Sequence, residues 1–204
     1  LSTMTSSDNI TWTGTFTPTS SVEDASNSLS LANNSYTDFA GNNGPAETTS
    51  NYEVETLAPS VNSFTISDSL LIIGETAAVS LVFSEAVISF SSSADITIAD
   101  LDNGTASGTL STMSSSDNIT WTGTFTPETN AEDATNTLSL ATSYTDYAGN
   151  SGPTENTSNY AVETLAPTVS SIAITAAAGI QNNFVNAGDN VSVTVTFSET
   201  VIVD

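Results

Sequence analysis

The side chains of this sequence best suited to chemistry are carboxylates, because the chain has 23 Asp and Glu residues but no Lys, Arg, His or Cys. This composition excludes a Ser-His-Asp triad, a Schiff-base lysine, a cysteine nucleophile and a thiolate zinc site. It also excludes basic contacts to phosphate, so we expect no nucleic-acid binding and no attraction to anionic lipid. The remaining chemistry belongs to oxygen: catalysis by paired carboxylates, or binding of a hard cation such as Ca²⁺.

Two adjacent acidic pairs are the candidates for carboxylate catalysis. They are Glu23 with Asp24 and Glu132 with Asp133. A glycosidase needs two carboxyl groups in a cleft, with the pKa of one of them raised. Both pairs are predicted to lie in a loop that is duplicated within the chain, which is unusual for an active site. The sequence therefore predicts a protein that is not an enzyme.

The chain repeats itself with a period of roughly 110 residues. Four blocks recur in the same order, and the first of them is almost unchanged between copies. The blocks are LSTMTSSDNITWTGTFTP (1–18) and LSTMSSSDNITWTGTFTP (110–127), YTDFAGN (36–42) and YTDYAGN (144–150), SNYEVETLAP (50–59) and SNYAVETLAP (158–167), and VFSEAV (82–87) and TFSETV (196–201). A period of this length is typical of one domain per repeat.

The repeat boundaries predict three units. Residues 1–57 are the C-terminal part of one repeat, residues 58–165 are a complete repeat, and residues 166–204 are the N-terminal part of the next. Each partial unit would leave an apolar sheet face uncovered, so we expect neighbouring repeats, or identical chains in a filament, to cover it. Simple head-to-tail joining of the two parts would still lack the counterpart of residues 91–109.

Apolar residues alternate with Ser and Thr along most of the chain, which is typical of half-buried β-strands. Val79, Leu81 and Phe83 are predicted to point inward, as are Trp121 and Phe125. In the complete repeat the predicted strands are 61–66, 78–84, 96–99, 108–113, 119–125, 137–144 and 160–163. About seven short strands separated by turn-forming residues predict an all-β fold of tandem immunoglobulin-like Greek-key β-sandwiches, without a disulfide.

The recurring blocks together resemble the bacterial Ig-like repeats of giant secreted surface proteins. The resemblance rests on Thr-Phe-Thr-Pro, Glu-Asp-Ala, Tyr-Thr-Asp-x-Ala-Gly-Asn, Ser-Asn-Tyr-x-Val-x-Thr-Leu-Ala-Pro and Phe-Ser-Glu-x-Val, and it covers essentially the whole chain. It implies tandem extender domains of adhesins and biofilm proteins, many of which are stiffened by calcium. It also implies an extracellular location, secreted or at the cell surface.

The strand order assigns the acidic residues to the two poles of each sandwich, because successive loops of an antiparallel sheet lie at alternate ends. Glu55, leaving the first repeat, is expected to approach Glu85, Asp95 and Asp146 of the next. Oxygen ligands without cations predict calcium at these poles. The full set of candidate ligands is Asp38, Asn42, Glu55, Glu85, Asp95, Asp100, Asp102, Glu132, Asp133, Asp146, Asn150, Glu163 and Glu199. The competing interpretation is that these acids are solvated surface groups in turns.

The sequence predicts a calcium-stiffened stalk or filament segment with no membrane-inserted part. The linker Val-Glu-Thr-Leu-Ala-Pro offers no flexible spacer, and Pro59 and Pro167 restrict it, so we expect adjacent repeats to abut. The alternative is a carbohydrate- or ice-binding module. A regular row of Thr120, Thr122, Thr124 and Thr126 could serve such binding, although threonine also simply suits exposed strand faces.

Overall fold

The computed structural model describes residues 1–100, 108–178, 182 and 184–203. Residues 1–57 contain four short strands: β1 (Glu23–Asn27), β2 (Ser30–Leu31), β3 (Glu47–Thr48) and β4 (Tyr52–Glu55). Strand β1 pairs antiparallel with β4, and β2 pairs antiparallel with β3. This unit therefore keeps its last strands paired without forming a larger sheet.

The described residues of the complete repeat form two main sheets, a small two-stranded pair and one helical turn. Its elements are β5 (Val61–Ile66), β6 (Leu70–Ile72), β7 (Ala77–Phe83), β8 (Val87–Ile88), α1 (Ser92–Asp95), β9 (Ile96–Asp100), β10 (Gly108–Leu110), β11 (Thr120–Pro127), β12 (Glu132–Leu140), β13 (Thr145–Asp146), β14 (Glu155–Asn156) and β15 (Tyr160–Glu163). One sheet has the order β10-β11-β7-β5. The other has the order β14-β12-β15-β6, with β9 also paired to β12. Strands β8 and β13 form a small separate pair.

The last unit is a β-hairpin of β16 (Val169–Ala178) and β17 (Asn190–Phe197). By sequence and pairing it corresponds to β5 and β7 of the complete repeat. No helix among the described residues is long and apolar enough to cross a membrane.

The two main sheets of the complete repeat enclose one apolar core. Alternation places Val79, Leu81 and Phe83 of β7 inside, each at most 1% exposed. Phe125 and Tyr160 come from opposite sheets and pack edge to face with their ring centroids 5.0 Å apart. Edge-to-face aromatic contacts add to the stability gained from burial. The predicted all-β immunoglobulin-like sandwich is confirmed, and so is the inward direction of these side chains.

The strand that follows β11 differs from its prediction in position and length. It was expected at 137–144, with Glu132 and Asp133 in the preceding loop. In the structure, β12 already begins at Glu132 and ends at Leu140. Its first residues pair with β15, with Glu132 opposite Glu163. The acids fit a strand here because Glu132 is exposed and a β-bulge between Asp133 and Asn136 adjusts the register.

One parallel pairing fixes the direction of the chain through the complete repeat. Strand β15 runs parallel to β6, with Val162 opposite Leu71. Because β6 belongs to the entering part of the chain, β15 leaves at the pole opposite to the entry. The linkers to the two partial units therefore adjoin opposite poles.

Candidate functional site at the junction between repeats

The end of each repeat is anchored by the threonine that precedes Leu-Ala-Pro. The Thr56 hydroxyl donates to the carbonyl of Thr19 at 2.7 Å, and the Thr56 N–H donates to the carbonyl of Val22 at 2.8 Å. At the start of the next repeat, Ser60 and Ser84 exchange two hydrogen bonds, of 2.8 and 2.9 Å. Only Leu57, Ala58 and Pro59 lie between the two anchors.

Two of these three linker residues are themselves held. The N–H of Leu57 donates to the carboxylate of Glu55 at 2.7 Å. The side-chain amide of Asn150, from the next repeat, lies 3.5 Å from the Leu57 carbonyl. Pro59 is buried. A joint with so few unrestrained bonds resists bending.

The second linker repeats the same anchors. The Thr164 hydroxyl donates to the carbonyl of Glu128 at 2.6 Å. Thr168 and Ser198 then exchange hydrogen bonds of 2.9 Å each at the start of the last unit. The repetition shows that the anchors belong to the repeat itself and not to one location in the chain.

Four acidic side chains from two repeats influence one another across the first junction. Glu85 has a raised pKa because of its partial burial and because of the negative charges of Asp146, Glu55 and Glu23. The structure thus places Glu55 and Asp146 close enough for their charges to raise the pKa of Glu85, while the role of these three residues as calcium ligands stays a prediction. It adds Glu23, which lies opposite Glu55 in the β1–β4 pair. Nothing in the chain can offset this charge with a basic side chain.

Asp146 and Asn150 close a turn that presents one carboxylate at this junction. The Asp146 carboxylate accepts hydrogen bonds from the Asn150 N–H at 2.9 Å and from the Asn150 amide at 2.8 Å. Gly149 allows the turn, because its φ of 92° is unfavourable for other residues. Burial alone would raise the pKa of Asp146, but the hydrogen bonds from Asn150 and the neighbouring backbone lower it. Asp146 is therefore held ionised.

The same turn occurs in the first repeat. Asp38 accepts hydrogen bonds from the N–H of Asn42 at 2.9 Å and from its amide at 2.8 Å. These hydrogen bonds, that of the Asn42 amide first, lower the pKa of Asp38. Both predicted ligand pairs are thus preorganised by their own loop.

Asp95 takes part in internal structure and not in this acidic group. It is 2% exposed, at the end of α1. Its carboxylate accepts the Ser91 N–H at 2.7 Å and the Ser143 hydroxyl. These contacts give a buried carboxyl group hydrogen-bond partners from the same repeat, which buried polar groups require.

The remaining predicted ligands lie elsewhere. Glu132 and Glu163 are cross-strand neighbours at the exit pole. Asp133 accepts the Thr135 N–H at 3.0 Å. Asp100 ends β9, and Glu199 is exposed after β17. Asp102 lies outside the described residues.

Among the residues that the structure describes, no three acidic side chains converge into a ready-made metal centre. The donor chemistry at the first junction nevertheless fits a hard cation, since carboxylates, an amide and a backbone carbonyl are the ligands that calcium takes. The group formed by Glu23, Glu55, Glu85 and Asp146, with Asn150 and the Leu57 carbonyl, is called the junction acids below.

The Ser- and Thr-rich surface of β11 is a second polar feature. Thr120, Thr122 and Thr124 are all exposed on one face of the strand. Beside Thr120 and Thr122 lies an open depression of about 400 Å³, which is also lined by Ser114 and Asp117.

Sequence comparison assigns the first unit and the complete repeat to one family. A family model described as a bacterial Ig-like domain matches residues 1–54 and again residues 55–162. The chain belongs to the bacterial Ig-like domain family. This membership agrees with the two-sheet fold of the complete repeat.

One solved structure resembles part of this bacterial Ig-like chain. It is that of surface layer protein SbsC, domains 1–6, with 19% sequence identity and a TM-score of 0.34. The match covers 58% of this chain and 15% of that one. No curated protein matches the chain.

The Thr and Ser anchors, and Glu23, were missed by sequence reasoning. Thr56 and Thr164 precede Leu-Ala-Pro in both linkers, and Ser84 and Ser198 follow Phe in both copies of the Phe-Ser-Glu block. That recurrence was the available signal. Glu23 also recurs as Glu132, but its strand was expected to be a loop.

Proposed function

We infer that this chain is a structural segment of an extracellular bacterial surface protein, in which tandem Ig-like repeats form a stiff stalk or filament of the adhesin or biofilm type. The observation that carries this proposal is the first linker, where only three residues separate two hydrogen-bonded anchors. The second linker has the same construction. A catalytic or ligand-binding domain would gain nothing from such a repeated stiff joint, whereas a spacer depends on it.

Calcium at the junction acids is the second part of the proposal. Glu23 and Glu55 would supply carboxylates from the first repeat, and Glu85, Asp146 and Asn150 would supply ligands from the next. A bound divalent cation would neutralise repulsion that this chain cannot offset with Lys or Arg. Because ligands come from both sides, binding would also tie the two repeats together.

Small-angle scattering of the full chain tests the joint and the ion together. We expect an extended rod in calcium and a broader distribution of shapes after chelation with EGTA. Thermal unfolding should move down by several degrees on chelation, because an ion bound only to the folded state stabilises it. Glu55→Gln should reproduce part of this loosening while leaving the core unfolding transition in place.

Glu128→Gln is the matched control, since it removes the same charge from an exposed residue outside the junction acids. It should leave the scattering and the calcium response unchanged. Identical melting and identical scattering with and without calcium would overturn the metal part of the proposal. A flexible joint even in calcium would overturn the stalk.

A carbohydrate-binding module is the second candidate, and two exposed aromatic residues favour it. Phe39 and Tyr147 occupy matching positions in their repeats and lie on the surface, Tyr147 being 71% exposed. Exposed aromatic rings beside hydroxyl-rich strands can stack on sugar rings. Glycan-array binding that is lost in Tyr147→Ser would support this function, and the absence of any binding would leave the spacer.

A further inference from the structure

One of the two main sheets of the complete repeat contains no charged residue. Its strands are β5, β7, β10 and β11, all of them described in full by the structure, and none includes an Asp or Glu residue. The strands of the other main sheet contain five acidic residues, which are Asp100, Glu132, Asp133, Glu155 and Glu163. In a chain with 23 acidic residues, the two sheets therefore differ sharply in charge.

Hydroxyl side chains dominate the outer face of the uncharged sheet. Alternation along β11 turns Thr120, Thr122 and Thr124 outward, where all three are exposed. The row continues across the sheet, with Ser80 of β7 opposite Thr122 and Thr65 of β5 opposite Ser80. Outward positions lie about 6.8 Å apart along a strand and about 4.8 Å apart across strands. The outer surface of β5, β7, β10 and β11 is called the hydroxyl face below.

Acidic residues border the hydroxyl face without interrupting it. Asp117 and Glu128 are the acids nearest to β11 in sequence, and they lie just beyond its two ends. The Asp117 carboxylate accepts the N–H groups of Ile119 and Thr120 at 2.9 Å each, which keeps it in its own turn. Among the described residues, none forms a side-chain hydrogen bond with the hydroxyls of the three exposed threonines of β11. These hydroxyls are available to a partner.

The same pattern recurs in both neighbouring units. Threonine occupies alternate positions in the first-unit counterpart of β11, at Thr11, Thr13, Thr15 and Thr17. Strand β17 has Ser192, Thr194 and Thr196 at alternate positions, and neither β16 nor β17 contains an acidic residue. An uncharged sheet is therefore a property of the repeat.

Electrostatics and shape limit which partners fit the hydroxyl face. An ionic ligand finds no charged group there to bind. A sugar finds no aromatic ring to stack on, because Phe64, Phe83, Trp121 and Phe125 of these strands all contact the core. A second copy of the chain is repelled by carboxylates elsewhere, since neither copy has Lys or Arg to pair with them. On the hydroxyl face this repulsion between facing side chains is absent.

We propose that the hydroxyl faces of two copies of this chain pack against each other, so that the copies associate side by side through their uncharged sheets. A Ser or Thr hydroxyl both donates and accepts hydrogen bonds, so two identical faces can satisfy one another. Threonine methyl groups add apolar contact, as do the outward side chains of Ala78 and Val82. This association is a role beyond that of a spacer.

The contact that one repeat offers is small. At the strand and residue spacings of a sheet, the hydroxyl face covers about 350 Å² per copy, whereas a stable interface buries about 800 Å² per partner. One pair of repeats should therefore associate only briefly. A tandem array would hold by adding many such contacts, because each one raises the effective concentration of the next.

Chemical cross-linking of the full chain detects such brief contacts. The chain has no cysteine, so Thr122→Cys places a single thiol near the centre of the hydroxyl face. A short bismaleimide can join thiols on facing sheets, which lie about 10 Å apart. We expect covalent dimers, formed in EGTA so that calcium cannot bridge the acids of two copies.

Thr97→Cys is the matched control, because Thr97 is an exposed threonine in β9 of the acidic sheet. Each dimerisation rate is divided by the rate at which the same thiol reacts with a monofunctional maleimide. The corrected rate should be several-fold higher for Thr122→Cys than for Thr97→Cys. Equal corrected rates would overturn the proposal.

A charge placed on the hydroxyl face should break the contact. Thr124→Cys combined with Thr122→Asp should lose most of its cross-linked dimer, whereas Thr124→Cys combined with Thr122→Ser should keep it. Thermal unfolding confirms that both variants are folded, and the exposure of Thr122 keeps the new carboxylate out of the core. Undiminished cross-linking in the Asp variant would contradict the proposal.

Salt dependence and glycan binding separate this contact from other kinds. Added salt should increase cross-linking at Thr122→Cys, because it screens the repulsion between the acids of the two copies. A decrease would indicate an ionic contact and would overturn the proposal. Binding of the unaltered chain to a neutral glycan, lost in Thr122→Asp and accompanied by equal cross-linking at positions 122 and 97, would assign the face to a sugar instead.

Discussion

Residues 1–18 and residues 110–127 differ only at one position, where Thr5 is replaced by Ser114. The two copies nevertheless have different structures. The second copy contributes β11 and a fully buried Phe125. The first copy has no strand of its own at this point, and its Phe16 is exposed to solvent. The comparison shows that alternating residues make a strand possible, while the strand beside them determines whether it forms.

The largest expected difference between the copies concerns these phenylalanines. Phe125→Ala should lower the free energy of unfolding of the complete repeat by about 3–5 kcal/mol, because it leaves a cavity in a packed core. In dilute protein, Phe16→Ala should lower the free energy of unfolding by less than about half of that amount. Urea unfolding measures the loss, and hydrogen exchange assigns it to one repeat or the other. Equal losses would mean that the first unit has a closed core in solution.

Alanine substitutions at the equivalent glycines Gly152 and Gly44 should show a smaller difference in stability, in the same direction. A methyl group added at Gly152 would collide with the ring of Tyr144, and one at Gly44 would collide with the ring of Tyr36. Tyr144 is fully buried, and its hydroxyl donates to the Pro153 carbonyl at 2.8 Å. Gly152→Ala should therefore cost about 1–3 kcal/mol of stability through overpacking.

Gly44→Ala should be nearly neutral, because Tyr36 is 45% exposed and can swing away. Thermal unfolding of the two variants is the measurement. A substantial loss of stability in Gly44→Ala would show that Tyr36 is confined.

The two linker threonines, Thr164 and Thr56, should differ still less in their contributions to stability. The Thr164 hydroxyl accepts the Ala131 N–H at 3.0 Å and is buried, so Thr164→Val leaves polar backbone groups without a partner and away from water. We expect a loss of about 1–3 kcal/mol. Thr56→Val, at a half-buried position, should lose less. Hydrogen exchange of the Ala131 amide would report the broken contact, and unchanged protection there would contradict the role of the anchor.

The smallest effect is a pH dependence of the first junction without calcium. The raised pKa of Glu85 means that its charge disfavours the folded junction at neutral pH. This penalty is absent below its ordinary pKa of 4.5 and is present in full above its raised pKa. Acidification from neutral pH toward 4.5 should therefore slightly raise the melting temperature.

Below that pH range further acidification should lower the melting temperature, because Asp146 and Asp117 have lowered pKa values and lose stabilising hydrogen bonds when they are protonated. Glu85→Gln should remove the rise near neutral pH, and Glu199→Gln, at the matching position of the last unit, should keep it. With calcium bound, acidification should instead destabilise the junction, since protons compete with the ion. A calcium-free profile that is unchanged in Glu85→Gln would show that the junction acids do not repel one another.

Much of the fold followed from the sequence because alternation and repetition are strong signals. The bounds of β5 and β15 agree with their predictions, and the inward side chains of β7 do too. The start of β12 was wrong, because Glu132 and Asp133 lack the apolar alternation on which the prediction relied. Strand β6 was missed, since three residues that pair in parallel leave too short a pattern to identify.

The candidate site was less accessible to sequence reasoning. Strand order assigns loops to poles, so the sequence alone could predict that Glu55, Glu85 and Asp146 face the same junction, but their use as metal ligands stays a prediction. The internal role of Asp95 could not be predicted, because the position of a single buried carboxyl group depends on whether local donors such as Ser143 form hydrogen bonds with it. Hydrogen bonds between a side chain and a distant backbone group, such as that of Thr164 to Glu128, produce no apolar alternation, and only the recurrence of the threonine in both linkers signals them.

The parallel pairing of β6 with β15 also bears on how this molecule would carry a pulling force. Tension on a tethered repeat acts at its entering and leaving segments, which draw β6 and β15 in opposite directions along their common axis. The hydrogen bonds between them, including that from the Ala161 N–H to the Ser69 carbonyl at 2.8 Å, are then loaded in shear. Bonds loaded in this way must break together and cannot open one at a time. The repeat is thus mechanically strongest along the direction in which it is joined to its neighbours.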